Sequence, residues 1–109
     1  STLTLSDTVK TCLFRIVQES LTNVGRYAKA KNVSVSLMET DQQVILKILD
    51  DGIGFELEKL AFKKTLGIVG MKERCLMLGG EFKIDSTQGG GTKIKIIIPA
   101  KVNLNEAIA

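Results

Sequence analysis

The chain has 109 residues, enough for one compact domain and too few for two. Hydrophobic residues at 44% and charged residues at 25% exclude a disordered or low-complexity chain. Fifteen basic against twelve acidic residues give a formal charge of +3, too mild to imply a nucleic-acid partner. Aromatics are only 5% with no Trp, which disfavours a base-stacking platform. No apolar run reaches the roughly 20 residues needed to cross a bilayer, so direct membrane insertion is not expected. There is no histidine, which removes Ser-His-Asp triads, Cys-His pairs and His-bearing zinc sites together.

In chain order, the first element is a long helix over Ser6–Ala28. Val9, Cys12, Leu13, Ile16, Val17, Leu21, Val24 and Ala28 recur at steps of three and four, and Ser6 or Asp7 serves as N-cap. Two strands follow. Asn32–Glu39 alternates Val33, Val35 and Leu37 with Ser34, Ser36 and Met38, while Gln43–Leu49 is almost wholly apolar and suits a central strand covered on both faces. The polar connection at 40–43 predicts an antiparallel hairpin. Residues 56–66 read as a charged, mobile loop with a short helix. A second helix is predicted over Ile68–Leu78, closed by Gly79 in a left-handed cap. Two further strands, Glu81–Ser86 with Phe82 and Ile84 inward and Thr92–Ile98 with Ile94, Ile96 and Ile98 inward, flank a turn at 88–91, and Pro99 ends the last. This order predicts an α+β fold with helices on one face of a sheet. One domain is expected over residues 1–109, its core at about 6–99 and 100–109 as a tail. Cys12 and Cys75 read as buried free thiols of a reducing cytosol.

Three stretches carry possible chemistry. Glu19, Asn23 and Arg26 share one side of the first helix, taken as opposite the apolar stripe; a carboxylate, a carboxamide and a guanidinium there can address a hydrated Mg²⁺ and phosphate oxygens, or form an ordinary solvated face. Asp50-Asp51-Gly52-Ile53-Gly54 ends an apolar strand in a carboxylate followed by glycines that let backbone approach a ligand. Such an acceptor-only group can take a hydrogen bond from the exocyclic amine of adenine and disfavours guanine by on the order of 1–3 kcal/mol; an acidic turn after a strand is the plain alternative. Gly67-Ile68-Val69-Gly70-Met71 places glycines at a helix start, where backbone N–H groups receive anions, or marks a simple loop-to-helix junction. Lys63 and Lys64 just before it either reach phosphates or stay solvated. Neither a P-loop nor the dinucleotide fingerprint is present.

Taken together, Glu19–Asn23, Asp50–Gly54, Gly67–Met71 and Gly91-Thr92 resemble the N box, two glycine boxes and Gly-Thr element of the GHKL superfamily of gyrase, heat-shock chaperone, histidine kinase and mismatch-repair ATPases. Arg15–Val24 and Gly70–Cys75 are most similar to the nitrate/nitrite-sensor subfamily of bacterial histidine kinases. The resemblance covers about residues 10–99. It implies a Bergerat-type two-layer α/β sandwich with a mixed sheet. It further implies ATP and Mg²⁺ as cofactors, with Asn23 on Mg²⁺, Asp50 on adenine supported by Thr92, and Gly52 and Gly54 shaping the base pocket. Residues 55–66 become a lid hinged at Gly67 and Gly70, and the run Gly67, Ile68, Val69, Gly70 and Met71 lines the nucleotide. Arg26 takes the phosphate-contacting position, Tyr27 stands where the family commonly has a histidine, and Leu66 where a histidine or glycine is frequent. Glu19 matches the acidic, catalytic position.

A histidine kinase moves the γ-phosphoryl of ATP to an imidazole, then to an aspartate of a response regulator. With no histidine of its own, the chain is expected to be the catalytic domain of a larger cytoplasmic or membrane-anchored sensor kinase. Its partners would be a histidine-bearing dimerisation domain and a response regulator. The alternatives are a GHKL ATPase, an anti-sigma-type serine kinase, or a degenerate nucleotide-binding interaction module.

Overall fold

A computed structural model describes residues 5–40, 42–55 and 62–100, the side chains of 26, 27, 62 and 63 excepted. Helix α1 spans Asp7–Asn23 and runs into a π-helical turn at Val24–Ala28. Strands β1 (Val33–Thr40) and β2 (Gln43–Asp50) follow, then α2 (Phe62–Met77), β3 (Glu81–Ser86) and β4 (Thr92–Pro99). The strands form one sheet in the order β1-β2-β4-β3. Every pair is antiparallel, where a mixed sheet was expected among these residues. The α+β two-layer architecture itself is as read from the sequence.

The layers follow from the strand period of two. Val44, Leu46 and Ile48 of β2 and Ile94, Ile96 and Ile98 of β4 are buried on one face, where they meet Val9, Leu13 and Ile16 of α1 and Met71 and Cys75 of α2. Among the described residues, no helix lies over the other face. Ile45 and Lys47 are half-buried there and Leu49 is 41% exposed. The expectation that β2 is covered on both faces is therefore corrected: a central place in the sheet protects a strand's edges, not its second face. On the outer strand β1, Val33, Val35 and Leu37 stay exposed although they share the core-side phase, because no helix reaches that edge.

Ser6 caps α1 as expected, its Oγ accepting the Val9 N–H at 3.2 Å. The α-helical pattern then stops at Asn23, not Ala28. The Val24 N–H is shared between the carbonyls of Ser20 and Leu21, the next turn widens, and Lys29 ends it with a left-handed φ of 50°. Leu21, assigned to the apolar stripe, is exposed. At the other helix, Gly79 closes α2 at φ +76° and the Gly80 N–H reaches back to the Cys75 carbonyl at 2.9 Å, as a glycine C-terminus requires. Its start differs: α2 begins at Phe62, six residues before the expected Ile68. Residues 56–61 of the expected lid lie outside the described set, as do 101–109 of the expected tail. Ala100 is no tail residue: it is buried, takes the Ser6 N–H on its carbonyl, and gives its own N–H to Gln42.

Asp51 ties the β2 end to the segment entering β1. Its Oδ1 accepts the N–H groups of Lys31 and Asn32 at 2.8 and 2.9 Å, and its Oδ2 the Asn32 carboxamide at 2.9 Å. These bonds, from Asn32 foremost, hold its carboxyl below the ordinary aspartate range. A carboxyl so depressed adds stability above its unfolded value of about 4, and that contribution is lost as pH falls through the folded value. Asp51→Ala should therefore lower Tm at pH 7, with the gap to the parent chain closing as pH falls below the ordinary aspartate range; thermal melts across pH check this, and a gap unchanged in acid would contradict it.

Candidate functional site

The core stripe of the sheet turns polar at one end. Continuing Val44, Leu46 and Ile48 by one more step of two gives Asp50; continuing Ile98, Ile96 and Ile94 gives Thr92; continuing Phe82 and Ile84 gives Ser86. The register sets these three directly across from one another, Asp50 opposite Thr92 and Thr92 opposite Ser86. They end three adjacent strands on the side the helices cover. Asp50 turns Oδ1 back to the Gly52 N–H at 2.9 Å, which fixes the carboxylate's orientation and directs its second oxygen elsewhere. The Thr92 and Ser86 hydroxyls bond each other at 2.8 Å. Ser86 also gives its proton to the Gly91 carbonyl at 3.0 Å and accepts the Phe55 N–H at 2.9 Å. Ser86 was missed in the sequence, although its phase relative to Phe82 and Ile84 held the signal.

Above this row is a narrow cleft of about 20 Å³. Its floor is apolar, with Ile48, Ile84 and Ile94 from the sheet and Ile68 and Met71 from α2; its polar wall is Asp50, Thr92 and Asn23. Of the expected site residues, Asn23, Asp50, Gly54, Ile68, Met71 and Thr92 are thus brought together. Gly52 lies just behind, where the loop after β2 meets the π-helical turn: the Ile53 N–H bonds the Ala28 carbonyl at 2.7 Å, and a Cβ on Gly52 would run into that same carbonyl. Gly54 has φ +64° and sits against the Thr87 and Gly91 carbonyls, so no other residue fits without moving backbone.

Three expectations need correction. Gly67, Ile68, Val69, Gly70 and Met71 do not form a loop at a helix start. They lie inside α2, where their backbone N–H groups serve the helix and are not presented to an anion. Met71 is fully buried, and Val69 points outward at 45% exposure, away from the cleft. Gly70 neighbours Arg74, and Gly67 meets the end of the Glu19 side chain so closely that a Cβ there would make that carboxylate shift. Second, Glu19 and Asn23 are not opposite the apolar stripe of α1. They flank it: α2 packs along that side and buries Ser20, one residue from Glu19, whose Oγ lies 3.5 Å from Met71 Sδ. Glu19 is half-buried beside α2 and does not line the cleft. Third, Lys64 is not solvated. It is 9% exposed, lines the cleft, and holds its Nζ 3.9 Å from the Phe55 ring centre. Burial pulls its ammonium below the ordinary lysine range, and the Asp50 charge opposes that shift. Arg26 and Tyr27 fall in the π-helical turn, and the expectation for their side chains lies outside the described set.

The cleft suits a flat, apolar ligand with a donor at its edge. The half-buried Asp50 carboxylate accepts only, so a ring bearing an N–H₂ group satisfies it, while aliphatic side chains pack the ring's faces. Asn23 adds a neutral hard oxygen at the mouth. Among the described residues, no group of three or more His, Cys, Asp and Glu side chains is placed to hold a metal ion alone.

Comparison with known proteins bears on what that ligand is. Residues 8–102 match the family described as histidine kinase-, DNA gyrase B-, and HSP90-like ATPase. The chain is 40% identical over 95 residues to sensor histidine kinase LiaS of Bacillus subtilis, covering 87% of this chain and 26% of that protein. It is 38% identical over 97 residues to the histidine-protein kinase/phosphatase DegS of the same organism, covering 87% and 25%. The chain thus spans about a quarter of the length of these curated relatives. Histidine kinase AdeS of Acinetobacter baumannii shares the fold at a TM-score of 0.68 and 24% identity, over 83% of this chain and 46% of that one. The chain belongs to the histidine kinase-, DNA gyrase B- and HSP90-like ATPase family, and it corresponds to the ATP-binding catalytic domain of sensor histidine kinases.

Proposed function

We propose that the cleft binds ATP with the adenine amine on Asp50, and that the chain delivers the γ-phosphoryl group to a histidine on a dimerisation domain outside this sequence. The row Asp50–Thr92–Ser86 at the polar end of a buried stripe carries this reading. It supplies an acceptor for the amine, a hydroxyl beside it and apolar surfaces for the ring. The base enters between the sheet and α2, against Ile68 and Met71, and displaces the Lys64 ammonium from its place beside Phe55. Gly52 and Gly54 hold the loop that closes one side of the pocket.

The phosphates run outward past Asn23 toward the turn that carries Arg26 and Tyr27, with Arg26 as the charge clamp. Asn23 fits Mg²⁺ because one carboxamide oxygen suffices for a hard cation that keeps most of its waters and shares phosphate oxygens. Bound there, the ion neutralises charge on the transferring group. Phosphoryl transfer asks the protein mainly for position and charge compensation. Glu19, one turn before Asn23, is the carboxylate proposed to steady the acceptor imidazole or the metal's water shell, and its packing against Gly67 has to loosen for that. With no histidine in the chain, the nucleophile comes from elsewhere. The phosphohistidine then supplies an aspartate on a response regulator. Among the described residues no helix is long and apolar enough to cross a membrane, and a cytoplasmic location accords with ATP as substrate. The sequences Arg15–Val24 and Gly70–Cys75 support a place in the nitrate/nitrite-sensor type subfamily.

Three outcomes test this reading. Calorimetric titration should show ATP bound in preference to GTP, with Asp50→Asn weakening ATP about tenfold or more by setting a donor against the amine. Asp51→Asn should leave nucleotide affinity within about twofold, since its carboxylate serves Lys31 and Asn32; equal losses at the two positions would place the base elsewhere. Asn23→Ala should abolish most of the Mg²⁺ dependence of ATP affinity, and a retained dependence would remove it from the metal. Incubated with γ-labelled ATP, the chain should stay unlabelled alone and label a histidine-bearing helical hairpin from a related kinase; release of free phosphate without transfer would favour the ATPase alternative.

A further inference from the structure

The two outer strands of the sheet, β1 and β3, meet solvent differently. β3 exposes Glu81, Lys83 and Asp85 and has α2 packed against it; charges of that kind keep a sheet edge from pairing with another chain. β1 carries neither a charge nor a proline from Val33 to Met38. Its core-side row, Val33, Val35 and Leu37, is exposed at 42, 44 and 53%. Phe14 and Leu21 are also exposed, seven residues apart on the flank of α1 away from α2. The backbone of this edge is open as well. The Asp51 N–H donates to the Asn32 carbonyl at 3.2 Å, so the even-numbered residues of β1 turn their backbone groups toward β2. The alternation of an antiparallel ladder then directs the N–H and C=O groups of Val33, Val35, Leu37 and Glu39 outward. Glu39 continues the core-side row at the hairpin end, and its Oε2 is shut off from water with no hydrogen bond among the described residues. An unpaired carboxylate oxygen in that setting is costly until a cation meets it. Lys31, before the other end of the row, has an exposed side chain, and its backbone N–H already serves Asp51.

We propose that β1 is a self-association edge, pairing antiparallel with β1 of a second copy of this chain about a two-fold axis at Val35 and joining two four-stranded sheets into one. In that register Val35 faces its own counterpart, Val33 faces Leu37 of the second copy, and Lys31 comes opposite Glu39 of the second copy. The strand is thus complementary to itself: apolar residues meet apolar residues, and the carboxylate without a partner meets an ammonium at both ends of the pairing. Moving the axis to Ser36 would set Val33 against Glu39 and leave Lys31 without a match, so the charges select one register. Each odd-numbered pair exchanges two N–H···O=C bonds through groups that already point outward. The facing side chains on the core side then gain cross-strand neighbours that one copy does not provide. The nucleotide cleft lies at the other side of α1, between the sheet and α2, and stays open in the pair.

Sedimentation velocity on the full chain should show a monomer–dimer equilibrium whose dimer fraction rises with concentration. Lys31→Glu and Glu39→Lys should each weaken dimerisation about tenfold, and the double variant should return it to within about threefold of the parent chain. Val35→Lys sets two ammonium groups face to face at the axis and should leave a monomer, its fold checked by circular dichroism. Val35→Cys should form a disulfide-linked dimer on mild oxidation, because facing residues of a hydrogen-bonded pair lie about 5.5 Å apart at Cα. Val33→Cys should link to a Leu37→Cys chain and not to itself. A chain that stays monomeric at every concentration, a dimer that Val35→Lys does not disturb, or single charge variants that the double variant does not rescue would overturn the proposal. So would β1 amides equally protected from hydrogen exchange at low and high concentration, since a segment of the same chain would then cover the edge. The cysteine pattern decides the register even if a charge variant does not fold.

Discussion

The site depends on the antiparallel register of β2, β4 and β3. Because the three strands are in phase, the inward stripe of each is apolar for most of its length and polar at one end, and the three polar ends coincide. A slip of one residue in any strand would turn that strand's whole inward set to the open face and remove its polar end from the cleft. The hydrophobic pattern that builds the core therefore also aligns Asp50, Thr92 and Ser86. Burial of Val44, Leu46, Ile48, Ile94, Ile96 and Ile98 holds the alignment far more strongly than the hydrogen bonds among the polar groups do.

The two adjacent aspartates show how one strand end divides structural and binding roles. Asp50 continues the inward phase and faces the cleft, with one oxygen tied to the Gly52 N–H. Asp51, one residue on, points the opposite way and spends both oxygens on Lys31 and Asn32. The loop after it is pressed onto the π-helical turn through the Ile53 to Ala28 hydrogen bond, so the widened turn carrying Arg26 and Tyr27 is attached to the strand carrying Asp50. The strand end proposed to bind the base and the turn proposed to meet the phosphates are thereby coupled through a few backbone atoms.

Helix α2 supplies one wall of the cleft. Ile68 and Met71 face the cavity, Lys64 fills part of it, and Gly67 admits the Glu19 side chain. The same helix buries Cys75 in the core two turns beyond Gly67. Its position relative to α1 thus bears both on the space left in the cleft and on the packing of the core.

Strand phase, the Ser6 cap, the Gly79 terminus and the hairpin between β1 and β2 were legible in the sequence, because each is set by residues within a few positions of one another. The convergence of Asp50, Gly54, Asn23 and Thr92 on one cleft was legible through their place at element ends and their joint resemblance to a family pattern. Tertiary structure alone decided the rest. Whether Gly67–Met71 forms a loop or the interior of a helix depends on the support α2 gains by packing Met71 and Cys75 into the core, and that support outweighs the roughly 1 kcal/mol that each glycine costs a helix. Which face of β2 is covered, and whether Lys64 meets water or an aromatic ring, depends on where distant segments come to lie. Local pattern states that a side chain is apolar or charged; only the completed packing supplies its neighbours.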